Sequence, residues 1–224
     1  MAKELTKRQL QARESKKKIH NSAIRLWQEH DYEKVTIEQL CSNAGVSAGL
    51  FYNYYGSKED VLRGDYELFD QIIDQAGKKF PASSNLDAIR MTEYLHACYS
   101  AAVGYKIVTQ WYRIHLSVTN ADIPSESAML NRNIHNLTIR ALKAGELHRA
   151  WDGETASRLI LSHTRGTVFD WAMRKGSYDL VERMAGDLEI VLALLKQELR
   201  APVSRRLLAA AKKFFTGLAA EAGL

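Results

Sequence analysis

Thr36 to Lys58, TIEQLCSNAGVSAGLFYNYYGSK, is the stretch that most limits what this chain can become. Thr36 followed by Gln39 is a capping box, in which the two side chains satisfy each other's backbone N–H at a helix start. Ile37, Leu40, Cys41 and Ala44 then recur at helical spacing and make one apolar face. Gly45 stands where a helix finishes through positive φ, Val46 supplies an apolar plug, and Ser47 caps a second helix. Leu50 and Phe51 are that helix's packing residues, and Tyr52, Asn53 and Tyr54 are left for contact. Ser57-Lys58-Glu59-Asp60 opens a third helix. This is the order of a helix-turn-helix, whose second helix enters a DNA major groove.

The rest of the chain agrees with an all-α fold. Pro81, Pro124 and Pro202 fall between helical patterns, and no β-branched run alternates with period two. A length of 224 residues allows one or two helical units with a sizeable core. A helix is expected from about Glu14, with Ile19, Ala23, Leu26 and Trp27 on one stripe, after a flexible basic arm at residues 1–13. The helix opened at Ser57 should run to about Phe80 and connect two parts of the molecule. Later helices are expected near 86–104, 106–118, 125–146, 153–175, 178–200 and 203–222. The last is amphipathic and basic, and is expected to pack on the bundle.

Net charge is +5, unevenly spread. Residues 1–25 carry eight basic side chains, among them Lys16, Lys17 and Lys18, against Glu4 and Glu14. A cationic segment just before the helix-turn-helix suits a polyanion partner. Cys41 and Cys98 match no metal or redox spacing and are expected to be small buried hydrophobes. The seven histidines form no H-E-x-x-H, so no metal and no cofactor are expected. No phosphate-binding loop and no nucleophile-base pairing stand out, so the chain is not expected to be an enzyme. Without a signal peptide or an apolar run of membrane length, a cytoplasmic protein is expected.

An N-terminal helix, the run AGVSAGLFYNYYGSKEDVL and a helical remainder together resemble the TetR (tetracycline-repressor-like) family of bacterial transcriptional regulators. The resemblance spans about Glu14 to Leu62 and rests on Gly45-Val46-Ser47, Tyr52, Tyr54-Tyr55 and Lys58. Leu50 departs from it, where small polar residues are common, and Tyr55 replaces a more usual Phe. The resemblance implies a homodimer on a roughly palindromic double-stranded DNA operator, repressing a nearby gene and released by a small-molecule effector. The expected organisation is a three-helix DNA-binding domain with its basic arm at 1–60, then an effector-binding and dimerisation bundle at 61–224.

Residue chemistry sharpens this. No Arg or Lys lies between Ser47 and Ser57, so the commonest guanine contact is missing. Asn53 suits an adenine, and Ala48 or Leu50 a thymine methyl. Gly49 allows close backbone approach. Tyr52, Tyr54, Ser47, Thr36 and Lys58 suit phosphates, with Lys16, Lys17 and Lys18 beside them, while Phe51 and Tyr55 are expected in the core. An effector pocket is expected among Tyr94, Cys98, Trp111, Tyr112, His115, His163 and Phe169. Val181, Met184, Leu188, Val191 and Leu195 form an a/d seam, expected with Leu159 and His163 to make the dimer interface. No membrane partner is expected.

Overall fold

A computed structural model describes residues 6–79, 82–117 and 128–198 with 209, 210 and 212. It contains nine α-helices and no strand among the described residues. They are α1 (Lys7–Glu29), α2 (Ile37–Ala44), α3 (Ala48–Tyr52), α4 (Lys58–Lys79), α5 (Asn85–Val103), α6 (Tyr105–Ser117), α7 (Ala128–Lys143), α8 (Gly153–Met173) and α9 (Leu180–Leu195). The helix expected at 203–222 lies outside the described residues, apart from three positions.

The helix starts follow local chemistry. At α2 the Gln39 N–H donates to Thr36 Oγ1 (3.2 Å), and the Thr36 N–H donates to Gln39 Oε1 (2.8 Å). Gly45 adopts φ +65°, and the Val46 N–H reaches back to the Cys41 carbonyl at 3.0 Å, which closes the turn. Ser47 Oγ accepts the Leu50 N–H at 3.2 Å. The flexible arm expected at residues 1–13 is corrected over residues 6–13, and residues 1–5 lie outside the described residues. A second capping box, Thr6 with Gln9, starts α1 at Lys7 rather than Glu14. Residues 7–13 are good helix formers behind that cap, so the helix extends by two turns and carries Arg8 and Arg13 on a rigid rod.

One core runs through α1, α2, α3 and the start of α4, built on Ile19, Trp27, Leu40, Phe51, Val61 and Leu62. It continues into Ile107 and Trp111 of α6, Trp171 of α8 and Met184 of α9, so the head is not packed as an island. Gln28 Nε2 donates to the carbonyls of Ala102 (3.0 Å) and Val103 (2.9 Å) at the α5–α6 corner. Lys106 Nζ donates to the Gln28 carbonyl at 3.0 Å, and Arg113 of α6 pairs with Glu33 in the 3-10 turn Tyr32–Lys34. The end of α1 is therefore tied to α6. A second core, including Phe69, Ile89, Ile134, Ile160, Leu188 and Leu195, fills the space among α4, α5, α7, α8 and α9.

The a/d seam on α9 is also corrected. Met184, Leu188 and Leu195 are 0% exposed within this single chain. They pack into the two cores, with Val181 and Val191 half-buried beside them. A period of three and four reports a buried stripe but not which helix covers it, and here α5 and α8 do. Four of the large apolar side chains left in solvent lie elsewhere on the same helix pair, Phe169 and Met173 on α8 and Ile190 and Leu194 on α9, and the other four, Leu10, Tyr52, Leu68 and Met91, are spread over α1, α3, α4 and α5.

Candidate functional site: a helix-turn-helix face and an internal polar cavity

The outward surface of α3 carries Ser47, Ala48, Gly49, Tyr52 and Asn53, all exposed. Phe51 points the other way and is fully buried, and Tyr55 is nearly so. Tyr54 is half-buried and shares a groove with Arg13, Lys16 and Lys17 of α1 and Arg63 of α4. Lys16 Nζ lies 5.7 Å from the centre of the Tyr55 ring. At 100° per residue three successive lysines cannot share one face. Lys16 and Lys17 line the groove, and Lys18 projects into solvent outside it. Thr36 is exposed, its hydroxyl oxygen engaged by the Gln39 N–H. Leu50 is half-buried between the core and the outward face.

Lys58 is the exception. Its ammonium donates to the carbonyls of Tyr32 (3.0 Å) and Val35 (2.9 Å) and sits 4.6 Å from the Tyr32 ring centre. Two of three donors are spent inside the protein, so its position is structural, tying the 3-10 turn to the start of α4. Lys58→Met should therefore lower stability by about 1–3 kcal/mol, because two carbonyls lose a charged donor. Urea denaturation checks this, and an unchanged midpoint would return Lys58 to the surface-phosphate role expected from sequence.

The second feature is a small cavity, about 30 Å³, between α5, α6 and α8. That is space for a water or two. Phe69, Tyr99, Trp111 and Tyr112 supply aromatic wall, with Trp111 and Tyr99 stacked 4° from parallel at 6.1 Å. His96, Thr164, Asn131 and Arg165 supply polar atoms. Of the residues expected here, Trp111 and Tyr112 line the cavity. Tyr94 turns to the surface toward Glu189, Cys98 is exposed, and Phe169 is exposed with its ring edge-on to Tyr112. His163 is half-buried and meets Thr167 Oγ1 at 3.3 Å, away from the lining, and Leu159 packs against the second core. The His115 side chain lies outside the described residues. Spacing along α6 and α8 marks aromatic faces but not which of them turns inward.

The residues missed are polar. Glu93, His96 and Ser100 lie at i, i+3 and i+7 on the inward face of α5. Glu93 and Ser100 are fully buried. Glu93 Oε2 accepts the Thr164 hydroxyl at 2.5 Å, whereas Glu93 Oε1, His96 Nδ1 and Ser100 Oγ are buried without a partner among the described residues. Burial pushes the Glu93 carboxyl up to about 7 and the His96 ring down to about 4. Their effects on stability have opposite sign. Native Glu93 holds its proton longer than the unfolded chain does, so its contribution falls as pH rises from about 4.5 to 7. His96 resists protonation, so its contribution falls as pH drops from about 6.5 to 4. The sequence signal was there: three polar residues interrupting a helical stripe of Leu86, Ile89, Ala97 and Val103.

Among the described residues no group of His, Cys, Asp and Glu could hold a metal, and no helix is long and apolar enough to cross a membrane. Cys41 is buried as expected; Cys98 is not.

Comparison with known proteins adds to this geometry. Residues 19–64 match the family model described as bacterial regulatory proteins, tetR family. The fatty acid metabolism regulator protein of Bacillus subtilis is 22% identical over 183 residues, which is 78% of this chain and 92% of that one. The transcriptional regulator HbdR of Aromatoleum is 41% identical over 68 residues, 30% of this chain and 28% of that one. In fold, the chain is similar to the crystal structure of FadR from Bacillus subtilis in complex with stearoyl-CoA. The TM-score there is 0.65 at 20% identity, over 79% of this chain and 97% of the other.

Proposed function

From its membership of the TetR family of bacterial regulatory proteins, we propose that this chain is a homodimeric repressor that binds a palindromic operator and is released by a small molecule. The observation that carries the reading is the outward face of α3, from Ser47 to Asn53, set beside the cationic groove of α1. In this reading Ala48, Gly49 and Asn53 meet base edges, and Tyr52, Tyr54, Ser47 and Thr36 meet phosphates. Lys16, Lys17 and Lys18 add charge along the approach of the DNA backbone. With no Arg or Lys on α3, part of the specificity would come from half-site spacing and DNA shape. Nothing in the site calls for turnover, and a cytoplasmic regulator fits it.

The division near residue 60 separates the reading head from the regulatory bundle. The exposed apolar side chains Phe169, Met173, Ile190 and Leu194 support a dimer face made by α8 and α9. Paired with their symmetry mates, these helices would make a four-helix bundle and set the two heads about 34–36 Å apart. The internal cavity is the effector site in this proposal. Its wall residues Trp111 and Tyr112 belong to α6, the helix that also holds α1 through Lys106 and the 3-10 turn through Arg113. A ligand that wedges α6 away from α5 and α8 would thus move the end of α1 and change the head spacing.

The test is a mobility-shift assay with the DNA upstream of the gene, repeated across salt concentrations. Binding should weaken by about 10³-fold or more between 50 and 200 mM salt, as expected for six or more phosphate contacts shared by two heads. No retention at low salt would sink the regulator reading.

A further inference from the structure

The cavity's lining points to a class of effector, an inference that rests on the cavity being the effector site. Among the described residues that line it there is a cation, Arg165, and no carboxylate. Arg165 is exposed and so stands at the rim, with Asn131 of α7 half-buried beside it. Arg165 Nη2 donates to Asn131 Oδ1 at 2.9 Å. An amide whose oxygen accepts from a guanidinium brings its NH2 donors to a ligand, and the guanidinium fork carries more N–H donors than Asn131 can take up. Donors of both kinds, set on the facing helices α7 and α8, suit the two oxygens of a carboxylate. Glu93 stands behind Thr164 and outside the lining, and burial pushes its carboxyl up to about 7, so its opposition to an anion is small below that pH. An amine would meet Arg165 as a like charge, and a neutral alcohol would use only part of the donor set. Inside the rim the wall is aromatic, formed by Phe69, Tyr99, Trp111 and Tyr112, and favours a flat ring over an alkyl chain.

We propose that Arg165 and Asn131 recognise the carboxylate of an effector with a flat aromatic body, its ring seated between α5, α6 and α8. The closed cavity is too small for such a body, so binding must part α6 from α8. The contact that gives way is the Tyr112 hydroxyl on the Arg165 carbonyl (3.0 Å), and its opening is the movement the regulatory reading calls for.

The experiment measures binding by calorimetry to the full chain, using 2-naphthoate as the probe. The matched alcohol, 2-naphthylmethanol, the matched amine, 2-naphthylmethylamine, and the alkyl acid decanoate are the controls, with lauroyl-CoA as the acyl alternative. The aromatic acid should bind about tenfold or more tightly than the alcohol, the size expected of hydrogen bonds to a charged group, and the amine should bind more weakly than either. Arg165→Gln, at an exposed position that does not support the core, should erase the preference for acid over alcohol while leaving the alcohol's affinity unchanged. Asn131→Ala is the second variant and should weaken binding of the acid alone. The inference is overturned if the acid does not bind, if it binds no more tightly than the alcohol or the amine, if decanoate binds as tightly as 2-naphthoate, or if the preference survives in Arg165→Gln. A wild-type protein that holds its upstream DNA and releases it with lauroyl-CoA but not with 2-naphthoate would overturn this inference and leave the regulator reading standing. A protein that holds no DNA would overturn the regulator reading, whatever the acids do.

Discussion

Ile190→Glu combined with Leu194→Glu should yield a folded monomer whose operator affinity is about 10²–10⁴-fold below that of the wild type. Both side chains are in solvent in the single chain, 70% and 49% exposed, so removing them disturbs little of its own core. In a dimer they would meet the partner's copies of Phe169, Met173, Ile190 and Leu194, and four charges brought together without partners would not be tolerated. The loss of affinity follows from effective concentration: a second head held by the dimer binds its half-site intramolecularly, and a monomer forfeits that gain. Sedimentation equilibrium and a shift assay would measure the two effects, and a persistent dimer would refute the assigned face. Leu188→Ala is the contrast. It should cost about 2–5 kcal/mol in urea denaturation, because Leu188 lies wholly inside the chain's own second core.

Phe51→Ala should unseat α3, with a loss of about 3–5 kcal/mol and of measurable operator binding. A helix of five residues has no stability of its own. It is held by the Ser47 cap and by the fully buried Phe51 ring, which lies 5.8 Å from the ring of Tyr55. Without that anchor the exposed Tyr52 and Asn53 lose their fixed direction. Tyr52→Phe separates stability from reading. Its hydroxyl is on an exposed side chain, so stability should change by no more than about 0.5 kcal/mol while operator binding weakens. If Phe51→Ala binds the operator as tightly as the wild type, α3 is not the reading helix.

Much of the reading head was legible because its signals are local. Thr36 with Gln39, Gly45 and Ser47 act within four residues of themselves, so capping and turn chemistry can be read along the chain. The same rule applied to Thr6 and Gln9 places the start of α1 at Lys7. Helical periodicity likewise located α5 to α9 and their apolar faces.

Periodicity identifies a face and is silent on what covers it, and the corrections beyond α1 have that origin. Met184, Leu188 and Leu195 form a seam whether the covering helices belong to this chain or to another copy, and only the packing of α5 and α8 against α9 decides for this chain. Lys58 is a surface cation by sequence, but the approach of the 3-10 turn brings two carbonyls to its ammonium. Glu93, His96 and Ser100 are three polar letters on α5 until the fold buries Glu93 and Ser100 and α8 sets Thr164 against Glu93. The sequence by itself determined the starts of α2 and α3, the turn between them and the outward face of α3, because caps and turns act over a few residues. The tertiary structure alone decided the free apolar face and the buried pairing of Glu93 with Thr164. Glu93 and Thr164 stand 71 residues apart, and no local pattern records that distance.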